Sequence, residues 1–216
     1  MIPRIKICCI QSVEEAALAV RWGASALGLV SEMPSGPGVI SEDRITEIAR
    51  TVPPGVSAFL LTSRTDAPSI IAQQRRTGVD TLQLVDLLSS GAHEELRRSL
   101  PGVRLVQVIH VVDEGSVEQA KTVAPHVDAI LLDSGNPNSS VKELGGTGRT
   151  HNWAISRTIR DAIDKPLFLA GGLNPSNVRE AVQTVAPYGL DICSGVRTDG
   201  QLDEGKLQLF IESASG

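Results

Sequence analysis

The feature of this sequence that most constrains its fold is an alternation, repeated eight times, of a short apolar segment with a segment of helical periodicity. In the first unit a short apolar run ends near Cys8, and Val13, Ala16, Ala17 and Val20 then recur at the spacing of one helix face. The predicted strands are residues 5–8, 26–30, 56–61, 81–84, 104–111, 129–133, 167–170 and 190–193. The predicted helices are residues 13–22, 41–51, 67–77, 92–99, 114–123, 152–163, 175–186 and 203–213, and residues 134–150 are a long polar loop.

This rhythm predicts a closed parallel sheet. Strands that alternate with helices pair in parallel through right-handed crossovers. Eight such units predict an α/β fold of the (β/α)8 TIM-barrel type. An open doubly wound sheet would favour a G-x-G-x-x-G pattern after the first strand, and the sequence does not contain one there. Because no change in composition marks a boundary, residues 1–216 are predicted to form a single barrel domain.

Composition argues against several classes of function. Only 3% of the residues are aromatic and the net charge is -5, so we expect no nucleic-acid partner. No apolar run reaches the roughly 18 residues of a membrane span, and the first residues lack the apolar core of a secretion signal. Three cysteines, two of them adjacent, form no disulfide framework and favour a reducing cytoplasm. The four histidines lack metal-ligand spacing, so no metal is expected, although His110 is a weak site candidate.

The carboxyl ends of the predicted strands, where barrels of this type place their active sites, include Cys8, Asp133 and Cys193, and the first two are the candidates for chemistry. Cys8 ends the first strand, and strand alternation points it into the barrel together with Lys6, whose charge would favour the thiolate. Cys8 can equally be a small buried apolar residue. Asp133 ends the sixth strand, and it either faces a pocket or anchors the glycine-rich loop that follows it.

Glycines follow the last three predicted strands. Gly145, Gly146 and Gly148 lie after the sixth strand, Gly171-Gly172 after the seventh, and Ser194-Gly195 after the eighth. Glycine lets backbone N–H groups approach an anion closely, and the loops after strands seven and eight are a common phosphate site of this fold. The sequence therefore predicts a ligand that carries a phosphate.

Taken together, these motifs resemble the phosphoribosylanthranilate isomerase family from about Ile5 to Ile211. The family opens with K-[IV]-C-G, matched here by Lys6-Ile7-Cys8. Its central segment, L-L-D followed by G-G-T-G-[KR]-x-x-x-W, is matched by residues 131–133 and 145–149, with Trp153 in register. Its two late segments, A-G-G-L-x-P-x-N-V and P-Y-G-[VL]-D-x-x-S-G-V, are matched by residues 170–178 and 187–196, and both are highly specific.

The resemblance implies an Amadori rearrangement of N-(5-phosphoribosyl)anthranilate to the aminoketose in tryptophan biosynthesis. By resemblance, Asp133 is the general acid and Cys8 the general base. The phosphate site implied is Gly171, Gly172, Ser194 and Gly195. Weaker substrate-binding candidates are Lys6, Gln83, Gly146 and Arg149. The family reaction needs no cofactor and no metal, and its only implied partner is a small phosphoribosyl substrate.

The sequence departs from the family pattern on the aglycone side. Cys9 stands where the family has glycine after the cysteine, and Gly38 stands where it has an arginine for the anthranilate carboxylate. Where the family reads Q-L-H-G after the fourth strand, this chain has Gln83-Leu84-Val85-Asp86. Two alternatives to the isomerase therefore stay open from the sequence: an isomerase of a different phosphoribosyl amine, and a non-catalytic sugar-phosphate binder. The sequence does not determine the oligomeric state.

Overall fold

A computed structural model describes residues 3–136, 139 and 141–215, and in it eight parallel strands close into a barrel. The strands are β1 (Arg4–Ile7), β2 (Ala26–Val30), β3 (Ser57–Thr62), β4 (Thr81–Leu84), β5 (Arg104–His110), β6 (Ala129–Asp133), β7 (Leu167–Leu169) and β8 (Gly189–Ile192). Each strand pairs with its neighbours in chain order, and β1 pairs with β8 to complete the ring. The predicted TIM-barrel fold is confirmed.

Eight helices alternate with these strands and surround them. They are α1 (Val13–Arg21), α2 (Glu42–Ala49), α3 (Ala67–Thr77), α4 (Ala92–Ser99), α5 (Gly115–Val123), α6 (Trp153–Ala162), α7 (Val178–Val185) and α8 (Glu204–Ser215). Short polar side chains fix several of the helix starts. Ser12 and Ser41 accept hydrogen bonds from the backbone N–H groups of Glu15 and Arg44, which satisfies donors that have no partner inside a helix.

The apolar core has two parts, separated by the sheet. Side chains on the outer face of the sheet pack against the helices. Ile5 and Ile7 of β1 belong to this part, as strand alternation predicts. The other part fills the barrel interior, where the rings of Phe59 and Phe168 meet edge to face with their centroids 6.0 Å apart. Above this packed interior, a cavity opens at the carboxyl ends of the strands.

The structure differs from the sequence predictions in two places near that end. The seventh helix begins at Val178, not at residue 175, because Asn174 and Asn177 form a turn in which the Asn177 side chain accepts from the Asn174 N–H. A short antiparallel hairpin follows β8 and was not predicted. Its two strands, β9 (Arg197–Thr198) and β10 (Gln201–Leu202), have two residues each. Within the predicted loop 134–150, residues 137, 138 and 140 lie outside the described part.

None of the helices in the described part of the chain has the length and apolar character needed to cross a membrane.

Candidate active site

A cavity with about 680 Å³ of atom-free space opens at the carboxyl ends of the strands. The residues with reactive or polar groups that line it are Cys8, Cys9, Ser35, Gln83, Asp133, Thr147, Asp191, Cys193 and Ser194. Both proposed catalytic residues thus face one space, although β1 and β6 are not neighbours in the barrel.

Cys8 follows β1 and continues its pairing with β8, because its backbone N–H donates to the Ile192 carbonyl at 2.8 Å. The thiol is buried, and Lys6 lies beside it. A Cβ placed on Gly28 would lie 2.7 Å from the Cys8 Sγ and 2.9 Å from the Lys6 Nζ, so both atoms border the same point. Hydrogen bonding from the neighbouring Cys9 thiol, together with the charge of Lys6, lowers the pKa of Cys8 against the opposing effect of burial.

Lys6 is fully buried and forms an ion pair with Asp191, with 2.7 Å between its Nζ and the Oδ1 of that residue. The two residues are register partners on β1 and β8, which places both side chains on the inner face. Burial acts to lower the pKa of Lys6, but the Asp191 carboxylate outweighs it and raises the pKa above its ordinary value. The lysine is therefore a fixed positive charge beside the Cys8 thiol.

Asp133 ends β6 with one carboxylate oxygen held and the other directed at the following loop. Its Oδ1 accepts from the backbone N–H of Ser134 at 2.7 Å. A Cβ on Gly145, whose φ is 125°, would lie 2.6 Å from Oδ2. Glycine at 145 therefore leaves this oxygen open to the cavity. The loop is tied back by a 2.7 Å hydrogen bond between the hydroxyls of Ser134 and Thr147.

The glycines after β7 and β8 present backbone to the same cavity. Gly171 and Gly172 both have positive φ, and a Cβ on Gly172 would lie 2.6 Å from the carbonyl carbon of Arg149. These two residues and Ser194 line the cavity. Gly195, the fourth predicted phosphate residue, is not among the residues that line the cavity, and it packs against the Leu173 carbonyl so closely that no side chain fits there. Exposed backbone of this kind suits an anion.

The weaker candidates have different positions. Gln83 lines the cavity, is 3% exposed, and its Oε1 has no hydrogen-bond partner in the described residues, so a ligand donor could satisfy it. Gly146 lines the cavity and contacts Pro37. The Arg149 guanidinium turns outward to Glu143 and does not line the cavity. His110, the weak candidate, contacts the Val85 carbonyl below it.

The side of the cavity where the sequence departs from the family pattern is apolar. Val30, Met33, Pro37, Leu61 and Leu144 line it, and within the described ranges no lysine or arginine does. The two family departures meet at this side. Cys9 has φ 62° and Gly38 has φ 82°, and a Cβ on Gly38 would lie 2.5 Å from the Cβ of Cys9. With cysteine at position 9, position 38 has no space for a side chain.

Comparison with known proteins agrees with this geometry. The family described as N-(5'phosphoribosyl)anthranilate (PRA) isomerase matches residues 5–213. The chain belongs to the PRA isomerase family. It is 36% identical to the N-(5'-phosphoribosyl)anthranilate isomerase 2 of Methanosarcina mazei, over 98% of this chain and 93% of that protein. It is 35% identical to the isomerase of Haloferax volcanii, over 98% of this chain and 92% of that protein.

Solved structures of PRA isomerases share the fold. The phosphoribosyl anthranilate isomerase of Thermotoga maritima is 30% identical, with a TM-score of 0.81 and 98% of each chain covered. Another PRA isomerase structure contains reduced 1-(o-carboxyphenylamino)-1-deoxyribulose 5-phosphate. It is 28% identical, with a TM-score of 0.78 and 98% of each chain covered. The fold and the family predicted from the sequence are confirmed.

Two cavity residues received no role from the sequence: Cys193, which was only noted as the end of a strand, and Asp191. A signal for Asp191 existed, because a lysine that points into a barrel needs a buried carboxylate and Asp191 occupies an inward position on the neighbouring strand. Cys193 follows β8 beside the Cys9 thiol and is half-buried. No spacing pattern links these residues, since the pairing of β1 with β8 joins opposite ends of the chain.

Proposed function

We propose that this chain isomerises N-(5'-phosphoribosyl)anthranilate to the 1-deoxyribulose 5-phosphate aminoketose, a step of tryptophan biosynthesis, with Asp133 and Cys8 as acid and base. One observation carries the residue assignment: a carboxyl and a buried thiol of lowered pKa face one cavity beside a backbone anion site. The comparisons favour this reaction over a different phosphoribosyl amine and over a non-catalytic binder.

The first half of the reaction opens the ribose ring. Asp133 donates a proton to the ring oxygen through Oδ2, the oxygen that Gly145 leaves accessible. The bond from that oxygen to C1' breaks, and the lone pair of the aglycone nitrogen forms the C1'=N double bond of a protonated Schiff base. Ser134 holds the other carboxylate oxygen, which stabilises the carboxylate formed after the proton has left.

The second half moves a proton from carbon. The Cys8 thiolate removes the proton of C2', and the electrons of the C–H bond form the C1'=C2' double bond while the nitrogen becomes a neutral amine. The resulting enolamine gains a proton at C1' and loses one from the C2' hydroxyl, which gives the ketone. Substrate and product are isomers, so the reaction consumes no oxidant, reductant or cofactor. The Lys6 ammonium stabilises the thiolate before the transfer.

The remaining contacts orient the substrate. The backbone of Gly171, Gly172, Ser194 and Gly195 holds the phosphate, and the unpartnered Oε1 of Gln83 accepts a sugar hydroxyl or the aglycone N–H. The aromatic ring packs on the apolar side of the cavity. Since no described lysine or arginine lines that side, the anthranilate carboxylate stays hydrated at the open mouth. Three free cysteines support a cytoplasmic location.

Variants of the two catalytic groups test this assignment. Cys8→Ala and Asp133→Asn should each lower kcat by about 10²–10⁴-fold, the range expected for loss of a general base or acid. Fluorescence or absorbance of the anthranilate group follows turnover, and growth of a tryptophan auxotroph lacking the isomerase gives a second readout. Arg157→Gln, at an exposed ion pair with Asp161 on α6 and outside the cavity lining, is the matched control and should stay within about threefold. Wild-type protein that is folded yet neither complements nor turns over the substrate would refute the proposed function.

A further inference from the structure

Cys9 occupies a backbone conformation that cysteine seldom adopts. Its φ of 62° lies in the left-handed region, where a side chain crowds the carbonyl and glycine is the usual residue. The side chain is nevertheless 4% exposed and lines the cavity. Strained residues of this kind cluster at functional sites, where the surrounding structure holds them in place. A cysteine kept in this strained conformation is therefore expected to have a role that glycine could not fill.

The Cys9 side chain packs on the loop between β2 and α2. Its Sγ donates to the Pro37 carbonyl at 3.7 Å. Its Cβ and Sγ occupy the space beside Gly38, where an added Cβ would lie 2.5 Å from the first atom and 3.0 Å from the second. The pKa of the Cys9 thiol is raised well above its ordinary value, because hydrogen bonding with Cys193 and Cys8 favours the protonated form. The thiol therefore keeps its one proton, which it donates to the Pro37 carbonyl, Cys8 or Cys193, one at a time.

The far side of this loop reaches across the cavity to the loop after β6. The Ser35 hydroxyl donates to the Lys142 carbonyl at 2.7 Å. A Cβ on Gly146 would lie 2.5 Å from the Pro37 Cδ, so these residues are in close contact. Pro37 is thus held between Cys9 on one side and the loop that covers Asp133 on the other. Its ring belongs to the apolar wall of the cavity.

We propose that Cys9 is a positioning residue: it fixes the segment Gly36–Gly38 against the cavity, and so determines how closely the apolar wall fits the aromatic part of the substrate. This inference rests on the proposed function for the identity of that aromatic part. Cys9 acts through Gly38, which it contacts, and through Pro37, which lines the cavity, while Cys8 keeps the chemical role. Position 38 must be glycine when position 9 is cysteine, because the Cys9 side chain fills the space that a Cβ at position 38 would need.

The experiment separates binding from chemistry. Cys9→Gly and Cys9→Ser are compared by KM and kcat for N-(5'-phosphoribosyl)anthranilate at the high-pH plateau, where Cys8 is a thiolate in every variant. Calorimetry with reduced 1-(o-carboxyphenylamino)-1-deoxyribulose 5-phosphate measures affinity without turnover. Cys9→Gly should raise KM and the Kd of the analogue about 5–10-fold, the effect of releasing one ordered contact segment, and change kcat by less than about threefold. Cys9→Ser keeps a donor for the Pro37 carbonyl and should restore most of the affinity.

A second pair of variants tests the contact itself. Gly38→Ala should weaken analogue binding by more than about tenfold in the wild-type background, and by clearly less in the Cys9→Gly background, because the clashing Cβ is gone. Gly55→Ala is the matched control, since Gly55 has φ 91° and open space around its Cβ position, so it introduces similar backbone strain without a clash.

The two proposals fail in different ways. Equal effects of Gly38→Ala in both backgrounds, or a Cys9→Gly variant with unchanged Kd, would overturn the role of Cys9. A Cys9→Gly variant that loses kcat and keeps KM would also overturn it, because the residue would then act on the base and not on the wall. If wild-type protein binds neither substrate nor analogue, the proposed function fails. If Gly38→Ala lowers the Tm less in the Cys9→Gly background than in wild type, that result would still support the contact between Cys9 and position 38.

Discussion

Removing the carboxylate of Asp191 should destabilise the barrel strongly, because it leaves the Lys6 ammonium buried without its counter-ion. The Lys6 Nζ is 2.7 Å from Asp191 Oδ1, and the lysine side chain is 0% exposed. Breaking a buried ion pair by deleting one partner costs about 3–5 kcal/mol. Asp191 borders the cavity, so water can enter the space it vacates, and we expect the lower end, about 3 kcal/mol for Asp191→Ala.

The assay is equilibrium unfolding in urea at pH 7, with thermal unfolding beside it. For a chain of 216 residues, about 3 kcal/mol corresponds to a fall in Tm of roughly 6–12 °C. The double variant Lys6→Met/Asp191→Leu removes both charges, and because it leaves no unpaired ion it should recover most of the loss. Asp191→Ala within about 1 kcal/mol of wild type, or additive losses in the double variant, would refute the reasoning that the two charges depend on each other.

Three further predictions concern the thiol, its neighbours and a second buried pair. Alkylation of Cys8 by iodoacetamide should have its midpoint below the ordinary thiol pKa of about 8.5, because the pKa of Cys8 is lowered; a midpoint above that value contradicts the thiolate assignment. Gly28→Ala should lower kcat/KM by about 10²-fold, since the new Cβ would displace both Cys8 Sγ and Lys6 Nζ, and an unchanged rate would contradict this geometry. Glu15→Gln should cost about 2 kcal/mol at pH 7, because Glu15 accepts two hydrogen bonds from the buried Arg197. Those bonds lower the pKa of Glu15, so its contribution is present above about pH 4.5 and is lost as the pH falls through the lowered pKa. Urea titrations between pH 7 and pH 3 should therefore show the stability difference between Glu15→Gln and wild type shrinking as the pH falls below about 4.5.

The sequence predicted the catalytic face in advance because a barrel places all strand ends on one side. Among the residues that end the predicted strands, the sequence singled out Cys8 and Asp133 as candidates for chemistry, and both line the cavity. Their roles as base and acid stay a prediction until the variants are measured, as do the phosphate assignments to Gly171, Gly172, Ser194 and Gly195. The prediction that residues 1–216 form a single domain also stays a prediction.

Sequence patterns did not predict the start of the seventh helix or the direction of the Arg149 side chain, because individual side-chain contacts determine both. The seventh helix starts late because the Asn177 side-chain amide donates to the Gly172 carbonyl at 3.0 Å, which holds residues 174–177 in a turn next to the glycine loop. The spacing of apolar residues cannot report such a contact. Arg149 could likewise have faced the substrate or the solvent by sequence, and its ion pair with Glu143 turns it outward.

The sequence by itself determined the alternation of strands and helices, the closed barrel, and the strand ends at which Cys8 and Asp133 stand, because periodicity and chain order are local properties. Only the tertiary structure decided the partners across the ring. The Lys6–Asp191 pair depends on β1 and β8 closing the barrel, and the fit of Cys9 against Gly38 depends on a loop that folds back over the first strand. These contacts are fixed by the geometry of closure, in which residues far apart in the chain are brought within the few ångströms over which charge and shape act.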